Sequence, residues 1–443
     1  MKYDVLIVGA GPAGIFAALQ LKGAAVCIID RGPDIDQRDR KAGILSGWGG
    51  AGAFSDGKIT LSPEVGGQLA SLMPEGEVRK LLRQVDQMWL EYSGPLKVYG
   101  ADSDEVAAIE RRAQLAGLRL IQSEVRHLGT EICPLVLTRM RDALREKIDV
   151  RMNTAVAELL VEDGKVRGVK TESGEEIEAD YVIVAPGRVG ADWLAREAQR
   201  LGIKTMINPV DIGVRVEVPA AVMKDLTDVV YEPKLIYYSK AFDDRVRSFC
   251  VCPNGEVVLE KYDGVTSVNG HSYARKQTTN TNFALLVSTS FTEPFHEPIT
   301  YGRYVASLAN LLSEGVIVQR LGDLESGRRS TAARIERGLT EPTLAAAVPG
   351  DLSFVLPYRH LSGILEMLQA LDKLAPGVAS RHTLLYGVEV KFYSSRLELS
   401  DKLETPIANL FAIGDGAGVT RGLAQASASG VIAAKEIASR MAG

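Results

Sequence analysis

Three glycines carry the first chemistry that the chain offers. Gly9-Ala10-Gly11-Pro12-Ala13-Gly14 has G-x-G-x-x-G spacing. Gly9 permits a tight turn, Gly11 presents no side chain to an approaching pyrophosphate, and Gly14 lets a helix lie close to a strand. A helix opening at Pro12 and Ala13 would offer unpaired N–H groups and partial positive charge to phosphate. Asp30 closes the next apolar run, at the distance expected of an acid that hydrogen-bonds a ribose hydroxyl. A bare glycine turn would need neither the following helix nor the acid, so the pattern predicts a dinucleotide site. Arg31, next to the acid, and Val156 are further expected cofactor contacts.

A second glycine-rich stretch, Gly43 to Gly57, leads to Lys58. Its glycines let backbone N–H groups approach a phosphate or a flat ring. Gly49, Gly50, Ala51 and Ser55 are the expected contacts, and Lys58 is a candidate catalytic charge whose plain alternative is a solvated loop residue. Cys250-Val251-Cys252 would place two thiols on one face of a strand. They are candidates for electron relay, yet no sequence neighbour activates them, and buried thiols commonly serve packing. Two thiols are too few to hold zinc. His271, with Ser272, Tyr273 and Arg275, is a candidate for proton transfer or substrate contact, and a lone loop histidine is otherwise a surface residue. Arg359-His360, Arg421, Tyr393 and Arg396 are lesser candidates. The five histidines show no metal-ligand spacing, so no metal is expected.

Elements that would position these residues follow from periodicity. Tyr3 to Val8 and Ala25 to Ile29 read as buried parallel strands around a helix from Pro12 to Leu21. Amphipathic helices are expected at Val78–Tyr92, Glu105–Leu115 and Leu135–Lys147. Between Val150 and Ala179, Asp163-Gly164 and Ser173-Gly174 separate three alternating runs, which predicts an antiparallel meander, with a new buried strand at Tyr181 to Ala185. Later strands are expected at Asp211–Val218, Phe249–Glu260 and Phe283–Ser288, then strand Leu410–Ile413 and helix Leu423–Met441. The two ends share a βα style and the middle differs. A discontinuous cofactor domain over 1–75, 105–205 and 380–443, with a second domain over 206–379, is the expected division.

Charge narrows the partners. Net charge is −5, from 51 basic and 56 acidic residues, without a Lys/Arg block. That gives no footprint for nucleic acid or an anionic membrane. No stretch reaches the ~20 apolar residues of a membrane span. Four cysteines suit a reducing compartment, so a soluble, cytoplasmic protein is expected.

Two later segments resemble signatures of the glutathione-reductase-type FAD fold: Tyr181 to Gly187 (YVIVAPG) and Asn409 to Asp415 (NLFAIGD). The resemblance implies FAD, with Gly187, Gly414, Asp415 and Gly422 at the cofactor and Asp415 on the ribityl chain. Thr405 precedes the last signature at a shorter spacing than usual. The resemblance also places Ser55, Asp56 and Lys58 near the isoalloxazine, where a lysine would stabilise anionic reduced flavin. Gly49 to Lys58, Ile212 to Pro219, Phe249 to Val257, Gly270 to Tyr273, Asn282 to Val287 and Val388 to Leu399 together resemble a family of uncharacterised FAD-dependent dehydrogenases, related to geranylgeranyl reductases and fumarate-reductase-like flavoproteins. Relatives often carry histidine where this chain has Arg188.

The implied fold is α/β: a Rossmann-like FAD domain with an inserted mixed α+β substrate domain. The implied activity is that of an FAD-dependent oxidoreductase moving a hydride to or from a small organic substrate. No second G-x-G-x-x-G follows a strand, so NAD(P)H would visit only transiently as reductant. Two alternatives are a flavin-dependent transferase or RNA-modifying enzyme, which the acidic balance disfavours, and an electron-transfer component with a redox partner protein.

Overall fold

The computed structural model describes residues 2–39, 45–206, 208–262, 264–273, 275, 277–289, 291, 297–392, 394 and 396–443. Gly43 and Tyr393, both singled out by sequence, lie outside the described residues. The chain divides into two compact units. The first comprises Met1–Lys97, Arg126–Asn208 and Tyr393–Gly443; the second comprises Val98–Val125 and Pro209–Phe392.

The first unit is built on a mixed sheet. Asp149–Arg151, Val26–Ile29, Tyr3–Val8, Glu176–Val184 and Leu410–Ala412 run parallel in that order. Val26–Ile29, Tyr3–Val8 and Leu410–Ala412 are nearly continuous apolar runs because both faces of the sheet are covered. Val156–Glu162 and Lys165–Thr171 add an antiparallel wing. Their hairpin turns at Asp163 (φ +50°) and Gly164 (φ +73°), the double positive φ that a tight hairpin requires.

Glu176–Val184 corrects the sequence reading, which split it into a last meander strand and a separate buried strand. It is one strand. Glu176 to Glu178 pair antiparallel with the wing, and Ala179 to Val184 pair parallel with Tyr3–Val8. No turn residue separates the two halves; only their hydrophobic pattern changes, as one half leaves the wing and the other enters a covered sheet.

Helices Pro12–Gln20, Glu75–Ser93 and Leu423–Ala442 pack together on this sheet. Trp89 ties all three. Its ring lies 5.2 Å from that of Phe16, and its indole N–H donates to Ser427 Oγ at 3.3 Å.

The second unit centres on an eight-stranded, mostly antiparallel sheet. Its middle strands are Leu384–Lys391, Val210–Pro219, Asn280–Thr289 and Arg245–Cys252. Helices Ala220–Val230, Pro298–Ser313 and Tyr358–Leu374 cover it, and the hairpin Glu256–Tyr262/Val265–His271 packs beside it. Residues 105–125 and 380–392, grouped with the first domain on sequence grounds, fold with this unit. Arg119–Ile121 adds an edge strand to Lys234–Tyr238, and Leu384–Lys391 is central to the sheet. Periodicity marked elements there but not their pairing partners. Among the described residues, no helix is long and apolar enough to cross a membrane.

Trp89 leads to a stability prediction. Removing its ring leaves a void among three helices, so Trp89→Ala is expected to cost ~3–5 kcal/mol. Leu115→Ala, at a position 83% exposed, is expected to stay within about 0.5 kcal/mol of the parent. Urea unfolding of both variants measures the contrast.

Candidate functional site

In the first unit, Tyr3–Val8 ends in the predicted turn. Gly9 takes φ +110°, and a Cβ there would stand 2.1 Å from the Ala185 carbonyl oxygen. Gly14 meets the Gly9 carbonyl just as closely. These two glycines are required by the protein itself. Gly11 differs: a Cβ there meets nothing closer than Gly50 Cα, at 4.0 Å. Space beside Gly11 is thus kept for something other than protein. Helix Pro12–Gln20 begins there with Pro in its first turn, no side-chain cap and no acid in that turn. Its N–H groups remain for an anion.

Asp30 is where it was expected but is more heavily committed. Oδ2 accepts from Ala10 N (2.9 Å), while Oδ1 accepts from Gly32 N and Gly47 N (2.8 Å each). A carboxylate has about four acceptor directions, so roughly one remains for a ribose hydroxyl. Arg31 is exposed. Val156 is half-buried and opens a strand just after Asn153 and Thr154, whose amides bond the carbonyls of Gly32 and Asp30.

Gly47 to Phe54 folds onto this turn. The Gly49 amide donates to the Ala10 carbonyl at 2.7 Å. Gly52 lies against Pro12 and Leu423, the first residues of two helices. Helix Leu423–Ala442 also starts without a side-chain cap, at Gly422. Two uncapped N-termini therefore flank one glycine loop, and half-buried Ala51 lies within it. Sequence reasoning missed Arg38, which holds the loop. Its Nη1 donates to the carbonyls of Trp48 and Gly50 (2.7 Å each), and its guanidinium lies 4.7 Å over the Phe54 ring. Burial lowers the Arg38 pKa to about 10, opposed by Asp30. Its only sequence signal was an arginine shortly before a loop rich in bare carbonyls.

The loop's far end departs from expectation. Ser55 Oγ donates to the Gly52 carbonyl (2.9 Å) and accepts from Gly57 N (3.2 Å), so it shapes the turn. Lys58 is not a solvated loop residue. Its side chain is 7% exposed and its Nζ pairs with Asp56 at 2.8 Å. Asp56 therefore offsets its charge.

The third signature meets the first. Gly414 stands against Ala13, and Gly416 against the Gly187 backbone. Asp415 accepts from Thr420 Oγ1 at 2.8 Å. Burial pushes its carboxyl above the ordinary range, opposed by Arg188, the Thr420 bond and Arg421. Thr405 is spent on its own turn, bonding both backbone groups of Ile407. Arg396 donates to Gln68 Oε1.

In the second unit, a second cluster surrounds fully buried Arg215. Nε donates to Asn282 Oδ1 (2.9 Å), Nη1 faces Glu389 (3.5 Å), and Nη2 donates to the Cys250 carbonyl (3.0 Å) and to Cys252 Sγ (3.5 Å). Lys391 bridges Glu389 (3.2 Å) and Glu260 (3.1 Å). Gly270 is needed here, since a Cβ would lie 1.9 Å from Arg215 Nη2. Burial opposes the charges on Arg215 and Lys391, yet Glu389 with the two thiols holds Arg215 above its ordinary range, and Glu260 with Glu389 does so for Lys391. The cysteines do not sit on a plain strand face. A bulge between Phe249 and Cys252 puts Cys250 at φ +45°, with its sulfur 3.8 Å from that of Cys252. His271 ends a strand opposite Glu256, to which Tyr273 donates, and is not in a free loop.

Two family models match this chain. A model described as FAD dependent oxidoreductase matches residues 4–267, and one described as FAD-dependent protein, C-terminal domain-like matches residues 209–392. The first spans more than half of the chain. This protein belongs to the FAD-dependent oxidoreductase family. An uncharacterized protein of Clostridium beijerinckii is 27% identical over 481 aligned residues, covering 99% of this chain and 81% of that one. Among solved structures, E. coli quinol fumarate reductase FrdA overlaps 100% of this chain and 71% of its own (TM-score 0.46, 15% identity). Glycine oxidase from Geobacillus kaustophilus overlaps 99% and 95% (TM-score 0.42, 14% identity).

FAD is the cofactor of this oxidoreductase, and the residues fit it. The space at Gly11 and the two uncapped helix starts suit a pyrophosphate and an electron-rich ring. Arg359 and His360 part company. Arg359 pairs with Asp244 on the surface, whereas His360 is buried with Nε2 2.8 Å from Thr289 Oγ1. Burial lowers the His360 pKa to about 4.

Two predictions follow from these positions. Gly11→Ala is expected to fold with the parent's thermal stability yet hold FAD at least about tenfold more weakly, since the added methyl occupies ligand space; Gly9→Ala is expected to lose stability as well. Thermal melts of the flavin-free proteins and FAD titration measure both. The second concerns pH. The unfolded histidine binds a proton near pH 6.5 and buried His360 only near 4, so stability should hold above 6.5 and fall steadily as pH drops towards 4. The full loss is about 3 kcal/mol. His360→Gln should flatten that slope in denaturant titrations across the same window.

Proposed function

We propose that this oxidoreductase moves a hydride between its flavin and a small organic molecule, with the first unit holding FAD and the second selecting substrate. The observation that carries this reading is the start of Leu423–Ala442, which has no capping side chain or first-turn acid and follows directly on the Asp415 turn. A positive helix end there favours a ring that gains electrons. FAD, when bound, supplies the hydride chemistry, and the protein supplies binding, orientation and charge.

Gly9, Gly11, Pro12, Ala13 and Gly14 hold the pyrophosphate, with Gly49, Gly50 and Ala51 closing over it. Asp30 gives its remaining acceptor direction to a ribose hydroxyl, beside Arg31 and Val156. Asp415 accepts from the ribityl chain, framed by Gly187, Gly414 and Gly422. Lys58, steadied by Asp56 and the Ser55 turn, contributes positive charge, and His271 delivers the proton. NAD(P)H is the transient reductant, unless a redox partner protein takes its place. A chain with only four cysteines suits a reducing, cytoplasmic setting.

Flavin released by heat is expected to be FAD, not FMN, at about one per chain. Anaerobic mixing with NADH, NADPH and a panel of amines and organic acids should bleach the bound flavin with at least one of them. Because Asp56 already balances Lys58, Lys58→Met should slow this bleaching roughly tenfold, short of the hundredfold typical of an unbalanced donor. A colourless protein that FAD cannot reconstitute, or a bound flavin that no donor bleaches, would defeat the reading.

A further inference from the structure

The four cysteines fall into two kinds. Burial pushes the thiols of Cys27 and Cys133 up to about 12, which keeps them protonated and inert. Cys250 and Cys252 sit otherwise. Their sulfurs are 3.8 Å apart, Cys250 is partly exposed, and Cys252 lies beneath it with a guanidinium N–H on its sulfur. Sequence supplied no activating neighbour for these thiols; the fold supplies Arg215, from 35 residues upstream of Cys250.

The backbone around the pair is unusual as well. Cys250 is a non-glycine residue at positive φ, in a bulge that sets two residues against one on the facing strand. Such conformations cost of order 1–3 kcal/mol and persist where the surroundings enforce them. Here Arg215 enforces it by binding the Cys250 carbonyl. One side chain therefore fixes the bulge that brings the sulfurs together and places positive charge on the inner one. Packing alone would call for neither. Asn282 adds a further sign of function: its Oδ1 serves Arg215, and its buried Nδ2 has no hydrogen-bond partner among the described residues.

We propose that Cys250 and Cys252 form a dithiol–disulfide centre that exchanges with small-molecule thiols and disulfides. Arg215 favours the thiolate at Cys252. That thiolate takes the proton of Cys250, and the Cys250 thiolate attacks one sulfur of a small disulfide RSSR. A Cys250–SR bond forms and RS⁻ leaves. Cys252 then gives its proton to RS⁻, and its thiolate attacks Cys250 Sγ. The Cys250–Cys252 bond forms and the second RS⁻ leaves, taking its proton from solvent. The net change oxidises two thiols of the protein and reduces RSSR to two RSH. Run in reverse, the centre oxidises small thiols.

The test equilibrates the full-length protein anaerobically against mixtures of mercaptoethanol and its disulfide, with acid quenching, alkylation in denaturant and intact mass measurement. Two of the four cysteines should become protected as the disulfide fraction rises, and peptide mapping should place them at 250 and 252. Cys252→Ser should instead trap a mixed disulfide on Cys250, and Cys250→Ser should show neither protection nor adduct. Arg215→Lys, which keeps charge but loses the fork, should move the onset of fast exchange up by about one pH unit. Four alkylatable cysteines at every ratio would overturn the proposal. So would protection mapping elsewhere, a Cys252→Ser variant that behaves as the parent, or an unmoved pH profile in Arg215→Lys. Flavin content and bleaching, measured separately on the same samples, keep this outcome distinct from that of the hydride reading.

Discussion

One carboxylate holds the cofactor end of the first unit together. Asp30 accepts from Ala10, Gly32 and Gly47, which belong to three different loops. Each of those amides would otherwise be an orphan in a turn with no strand to pair it, and an unpaired buried donor costs ~1–3 kcal/mol. Charge-assisted bonds to backbone N–H groups are also the stronger kind. The glycine turn, the chain after the second strand and the second glycine loop are thus pinned to one side chain. Arg38 completes the arrangement from the other direction, because it satisfies carbonyls of the same loop whose amides Asp30 takes. The acid proposed for the ribose is thus also the one that organises the loops.

The second unit solves a harder problem, since its central cation is fully buried. A buried ion pair rarely repays its desolvation unless its remaining hydrogen bonds are met. Four groups on three neighbouring strands meet those of Arg215: Asn282, Glu389, the Cys250 carbonyl and Cys252 Sγ. The contact to Glu389 is long, at 3.5 Å, so the carboxylate does not monopolise the guanidinium. Lys391 takes up the other side of that carboxylate and pairs with Glu260 as well, so two cations face two carboxylates.

Much of the first unit could be read locally. The glycine turn, its two strands and the hairpin at Asp163-Gly164 are short-range steric statements, and the structure repeats them. The run from Glu176 to Val184 was misdivided because the change from alternating to continuous apolar residues looks like a new element, though it marks only a change of neighbours. Lys58 was read as solvated or catalytic, since nothing in a glycine loop announces that Asp56, two residues before it, will share its burial. The Arg215 cluster was illegible for a different reason. Arg215, Asn282, Glu389 and Lys391 each look like an ordinary polar residue in a strand, and only the pairing of Val210–Pro219 with Asn280–Thr289 and Leu384–Lys391 brings them to one point. The segments that carry the family resemblance had marked those strands without saying which residue they shared.

Electrostatics at the Asp415 turn tie these levels together. An acid placed, as proposed for Asp415, near a ring that gains electrons would ordinarily oppose its reduction. Here burial raises the Asp415 pKa, while Arg188 and Arg421 add positive charge and Thr420 occupies one of its oxygens. The helix that follows contributes its own positive end with no acid in its first turn to cancel it. The acid can therefore remain as an acceptor for a hydroxyl while its charge is outweighed by its surroundings. A histidine at the position of Arg188, which the family resemblance would lead one to expect, would supply such a charge only when protonated, whereas arginine supplies it at every working pH. The residue that departs from the resemblance thus contributes a positive charge to this turn that does not itself depend on pH.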